Sequence, residues 1–263
     1  MTIKKNIPNL ITLGNLLCGV IATWLAIKSQ IQYAAFFICL GIVFDFFDGL
    51  SARLLKVSSD MGKELDSLAD LVTSGIAPAF IALAILQRGL DTAGDTGTAT
   101  ICLSYLVLLM PLFAAYRLAK FNLDEEQHHS FKGLPTPANA LIWVGIALAL
   151  PNLHDAAFSE IWRMRWIPVI VILSLVLDIL MVGNLPMFSL KFNFKDMSWR
   201  TNKIRYIFLT GCAIVTILML FADWQYDCTE GTKLTWLAIS LSIVWYIILS
   251  IIKRKETKNQ INN

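Results

Sequence analysis

Eight apolar runs, each close to the length of a bilayer crossing, constrain this 263-residue chain more than any other feature. They cover residues 9–27, 32–52, 66–86, 99–119, 136–150, 166–183, 204–222 and 234–252. A helix needs about 20 apolar residues to cross the hydrocarbon core. In lipid a backbone must satisfy its own hydrogen bonds, so runs of this kind fold as helices. The fifth run is the shortest, and Pro135 and Pro137 stand at its start. Charged residues make up only 16% of the chain and apolar ones 56%, too little charge for a soluble domain. The expected fold is all-α: a polytopic membrane helix bundle with about eight transmembrane helices, forming a single domain over residues 1–263.

Basic residues set the orientation. With the amino terminus in the cytoplasm, 17 of the 22 Lys and Arg residues fall on the cytoplasmic side. An even number of spans returns the carboxyl terminus to the same side. Lys4 and Lys5 ahead of the first run resemble the start of a signal peptide. No small-x-small pattern follows near Ala26, however, and Pro8-Asn9 interrupts the layout, so the first run is expected to stay as a span. The location expected is the inner (cell) membrane.

Against this apolar background, Asp45, Asp48, Asp66 and Asp70 stand out, because carboxylates near a bilayer are costly. Asp45 and Asp48 are three apart, Asp66 and Asp70 four apart, so each pair shares a helix face. The short connection over residues 54–64 makes the two runs antiparallel neighbours. All four carboxylates can then converge near the cytoplasmic surface. Four like charges in a small volume need compensation, and oxygen-only ligands point to hard divalent ions, Mg²⁺ or Mn²⁺. Two such ions can hold phosphate oxygens during phosphoryl transfer. Gly49, Ala52 and Gly62 lack bulk and let a base or a diphosphate approach the backbone, while Arg53 offers a planar fork for phosphate. Any one of these residues alone reads as an interfacial side chain, a packing glycine or a charge anchor. Their joint spacing reads as a site. A cation pathway would place its acids near the midplane, often on broken helices. Here they gather at one surface beside Arg53, which repels cations.

The pattern Asp-x2-Asp-Gly-x2-Ala-Arg-x8-Gly-x3-Asp-x3-Asp over residues 45–70 resembles the signature of the CDP-alcohol phosphotransferase family at every fixed position. The resemblance implies a two-metal site of Asp45, Asp48, Asp66 and Asp70, with Asp70 as general base. It implies a CDP site lined by Gly49, Ala52, Arg53 and Gly62 together with Asn9, Thr12 and Asn15. It also implies a homodimer.

Three further stretches are similar to the phosphatidylserine synthase branch: Pro8 to Gly19, Arg117 to Asn122 with Phe131 to Ala140, and Leu180 to Lys191. That similarity implies CDP-diacylglycerol as donor and L-serine as acceptor, among membrane lipids and with no nucleic-acid partner. Serine is a zwitterion, so its site needs donors for a carboxylate and an acceptor for an ammonium. Arg117, Lys120, Asn122, Lys132, Asn139, Asn184 and Lys191 form the pool on the metal-site side of the membrane. That pool leaves glycerol 3-phosphate, inositol and inositol phosphate open as other acceptors. Asp178, deep in the sixth run, either reaches the acceptor pocket or pairs with a basic side chain.

Overall fold

The computed structural model describes residues 2–57, 59–93, 97–123, 131–150, 166–187, 199–225 and 234–261. All eight apolar runs are helical. Six of the resulting helices are long and apolar enough to cross a membrane, and Thr136–Ala149 and Ile167–Val182 are shorter. The chain is an integral membrane protein.

Helix α1 (Thr2–Ile27) carries Pro8 inside it and packs along α2 (Ile31–Leu55). Lys56 ends α2 in the left-handed conformation at φ 52°, its N–H pointing back to the Ala52 and Arg53 carbonyls. Helix α3 (Asp60–Asp70) starts six residues before the apolar run that predicted it. The reason is a cap: the Ser59 side chain accepts from the Gly62 N–H at 3.0 Å, and Asp60 favours the positive end of the helix dipole. Asp66 therefore lies in mid-helix rather than at a helix start.

A π-helical turn (Leu71–Ile76) joins α3 to α4 (Ala77–Ala93). Together they make a rod over Asp60–Asp91, 67% buried across its most apolar window. The fourth run is divided into α5 (Thr98–Ser104), a 3₁₀ stretch (Tyr105–Leu109) and α6 (Met110–Leu123). Pro111 supplies the cause, since it has no N–H to donate back into the preceding turn.

Pro137 lies in the first turn of α7 (Thr136–Ala149), where its missing N–H costs nothing, so the two prolines start this helix rather than break it. Helix α8 (Ile167–Val182) packs on α6. Two-residue strands β1 (Phe131–Lys132) and β2 (Pro186–Met187) pair antiparallel, with Phe131 opposite Met187 and Lys132 opposite Pro186. Beside them the Gly133 N–H donates to the Leu185 carbonyl at 2.8 Å, and the Leu134 N–H to the Leu180 carbonyl at 3.0 Å. Gly133 has φ +82°, and a Cβ there would run into the Met181 carbonyl, so only glycine fits. This clasp ties the start of α7 to the end of α8.

Helix α9 (Trp199–Gln225) and, after a 3₁₀ turn (Leu234–Trp236), α10 (Leu237–Ile261) complete the described chain. The core is centred on α4 and α7, with Ile81, Ile85, Leu86, Ile142 and Trp143 fully buried. Large apolar side chains such as Leu10, Phe36, Ile172, Ile217 and Phe221 point outward, as a lipid-facing surface requires.

Candidate active site

Helices α2 and α3 bring the acids together at one end of the bundle. One carboxylate oxygen from each of Asp45, Asp48 and Asp66 lies within 4.8 Å of the others. Asp48 is only 6% exposed. Asp48 Oδ2 and Asp66 Oδ1 are buried without a hydrogen-bond partner. Orphaned carboxylate oxygens are expensive, and a divalent cation between the side chains would satisfy both. The donors are all hard oxygens, so the residues fit Mg²⁺ or Mn²⁺.

Beside the acids a cleft opens between α1 and the α2–α3 connection. Asn9, Thr12, Gly49, Ala52 and Gly62 line it together with Asp48 and Asp66. Glycine at position 62 keeps the floor open: a Cβ there would stand 3.1 Å from Ser59 Oγ and 3.3 Å from Asn9 Oδ1. The wall also contains Pro8, Val57, Ser59 and Lys63, which the spacing argument passed over. For Ser59 a signal was present, since a serine just ahead of an acidic helix start is a capping pattern. Arg53 and Asn15 are not among the lining residues. Arg53 is tied by its Nε to the Gly49 carbonyl at 2.9 Å.

Asn15 turns elsewhere. It is fully buried, and its Nδ2 donates to Asp70 Oδ1 over a long 3.4 Å. Its own carbonyl accepts from the Thr73 hydroxyl at 2.9 Å, which pins α1 to the π-helical turn just after Asp70. π-Turns inside helices recur at functional sites. Asp70 also interacts electrostatically with Asp45, Asp48 and Arg117. The arrangement is a carboxylate cluster beside an open cleft, with one further aspartate steadied by an amide.

Residues 5–179 match the family model described as CDP-alcohol phosphatidyltransferase. The chain belongs to that family. Members are generally dependent on a divalent metal, in keeping with the oxygen cluster. Among curated proteins it is similar to ones named CDP-diacylglycerol–serine O-phosphatidyltransferase. The Bacillus subtilis protein is 41% identical over 131 residues, covering 50% of this chain and 69% of the relative. The Saccharomyces cerevisiae protein is 40% identical over 157 residues, covering 54% of this chain and 53% of the relative. The Helicobacter pylori protein is 30% identical over 196 residues, covering 73% and 74%.

In this chain the basic and amide residues of the second half divide by depth. Arg117 Nη1 donates to Thr136 Oγ1 at 2.7 Å, and its Nε is buried without a partner. Asn139 is fully buried, and neither end of its amide is hydrogen-bonded. Lys120 and Asn122 are nearer the surface: Lys120 Nζ donates to Asn184 Oδ1 at 3.1 Å and Asn122 Nδ2 to Ser67 Oγ at 2.9 Å. Both bonds join the end of α6 to the acidic end of the bundle. Lys132 sits in β1, and Lys191 lies outside the described residues. Asp178 is fully buried on α8 with neither oxygen hydrogen-bonded, and no basic side chain pairs with it among the described residues.

Proposed function

We propose that this chain transfers the phosphatidyl group of CDP-diacylglycerol to the hydroxyl of L-serine, releasing CMP. The observation that carries the chemistry is the convergence of Asp45, Asp48 and Asp66 at the edge of the cleft. The acceptor rests on the names of the relatives and on the half-buried cation Arg117, which interacts electrostatically with Asp70.

Asp45, Asp48, Asp66 and Asp70 would hold one or two divalent ions, which when bound supply charge neutralisation for the diphosphate and the departing nucleotide. Asn9, Thr12, Gly49, Ala52 and Gly62 receive the cytidine and diphosphate, leaving the acyl chains in lipid. Arg53, held at Nε, keeps its terminal nitrogens for phosphate. Arg117 pairs with the serine carboxylate and turns the hydroxyl toward Asp70. Asp70 takes the hydroxyl proton as the serine oxygen bonds to the lipid-side phosphorus. The bond from that phosphorus to the bridging oxygen breaks, and CMP leaves with the electron pair. Holding the two substrates in line supplies much of the acceleration. The positive-inside bias directs this end of the bundle to the cytoplasm, with eight spans, both termini cytoplasmic and residence in the inner membrane.

Purified protein, CDP-diacylglycerol and Mn²⁺ are incubated separately with serine, glycerol 3-phosphate, inositol and inositol phosphate. CMP release with serine alone is the expected result. Release with another of these acceptors and not with serine overturns the assignment.

A further inference from the structure

Thr73 spends its hydroxyl between helices. Thr12, Thr23 and Thr216 each donate to the carbonyl four residues back in their own helix, the ordinary use of a helical threonine. Thr73, on the π-helical turn, instead donates across to the Asn15 carbonyl of α1 at 2.9 Å. Two glycines make room for it. A Cβ at Gly19 of α1 would run into Thr73 Oγ1 and stand 2.8 Å from the Thr73 backbone. A Cβ at Gly41 of α2 would run into the Thr73 methyl and stand 2.8 Å from Asn15 Oδ1. Thr73 is therefore seated between two helices, hydroxyl against α1 and methyl against α2, with no exposed surface.

Asp70 stands three residues before Thr73, so the two share a face of their rod. Both meet Asn15: Thr73 grips its backbone carbonyl, and Asp70 Oδ1 accepts from its side-chain amide at 3.4 Å. Asn15 Oδ1 is buried without a hydrogen-bond partner, so nothing at the carbonyl end of the amide holds Nδ2 toward Asp70. The Thr73 bond and the bare face of Gly41 set its place instead. At 3.4 Å the amide bond is near the limit of a hydrogen bond, and a shift of a few tenths of an ångström would break it.

We propose that Thr73 is a positioning residue for Asp70: its hydroxyl fixes α1 where Asn15 donates to one carboxylate oxygen, leaving the other to take the acceptor's proton. The inference rests on the reading of Asp70 as general base. A bare packing role for Thr73 makes a different prediction, because valine has the same shape and would serve equally well.

Full-length wild type, Thr73→Val, Thr73→Ser, Asn15→Ala, the Thr73→Val/Asn15→Ala double variant and Asp70→Asn are compared in lipid nanodiscs. The readout is CMP release from CDP-diacylglycerol and serine, or the acceptor that wild type uses in its place. Thr73→Val should lower kcat about tenfold and leave both KM values within about twofold. Thr73→Ser keeps the hydroxyl and should stay within about threefold of the wild-type kcat. Because Thr73 acts through Asn15, adding Thr73→Val to Asn15→Ala should cost less than about twofold more. Where the valine variant does not fold, Thr73→Ala against Thr73→Ser, which differ by one hydroxyl, makes the same comparison. A Thr73→Val kcat equal to wild type, an equal loss in Thr73→Ser, or losses that multiply in the double variant overturn the inference, and an inactive Asp70→Asn then leaves the base in place. An active Asp70→Asn removes the base itself, and the inference falls with it.

Discussion

Asp45, Asp48 and Asp66 stand on two helices joined by residues 56–59, whereas Arg117, Thr136 and Asn139 come from α6 and α7, which are joined by a longer connection. The first group is fixed by helix periodicity and one capped turn, so shifting α3 by a single residue would rotate Asp66 out of the cluster. The second group is fixed by packing between distant helices: the clasp at Gly133, the Ser240 bond to α7 and the Arg117–Thr136 bond. In the proposed reading the metal side is thus a local structure that many acceptors can share, and the acceptor side depends on tertiary contacts that can change without disturbing the acids.

The largest effect expected is at Asp70. Asp70→Asn should lower turnover about a thousandfold while the purified variant still binds CDP-diacylglycerol. Turnover within tenfold of wild type would remove Asp70 from the role of base. Asn15 draws the comparison more finely. The sequence places it with the CDP residues, but its amide reaches Asp70. Asn15→Ala should therefore reduce kcat by about tenfold or more with the donor KM unchanged. A raised donor KM with normal kcat would return Asn15 to the nucleotide cleft.

Arg117→Lys keeps the charge but loses the planar fork, and it should raise the serine KM about tenfold with little change for the donor. A change in the donor KM instead would merge the two sides of the site. Lys120→Ala breaks an exposed bond to Asn184, and steady-state assays should show less than about a threefold change in any constant. A larger loss would move Lys120 from helix anchoring into the acceptor pocket.

What could be read from the sequence follows the same division. All eight apolar runs are helical because a lipid-exposed backbone has no other way to satisfy its hydrogen bonds. The convergence of the acids was legible because three- and four-residue spacings fix a helix face. The early start of α3 is signalled by Ser59 but not by hydropathy, since Asp60 to Glu64 are mostly polar. The turn of Asn15 toward Asp70 was not legible: it depends on the close approach of Thr73 to α1, where a Cβ at Gly19 would stand 2.8 Å from the Thr73 backbone.

Metal dependence tests the central claim most directly. The protein is stripped with a chelator, and CMP release from CDP-diacylglycerol and serine is followed as Mn²⁺ or Mg²⁺ is returned to wild type and to Asp48→Asn. No release is expected from the stripped protein, with full recovery in wild type and no recovery in Asp48→Asn at the same metal concentration. Undiminished release after exhaustive chelation, or normal recovery in Asp48→Asn, would contradict a cation held by Asp45, Asp48 and Asp66 as the centre of the site.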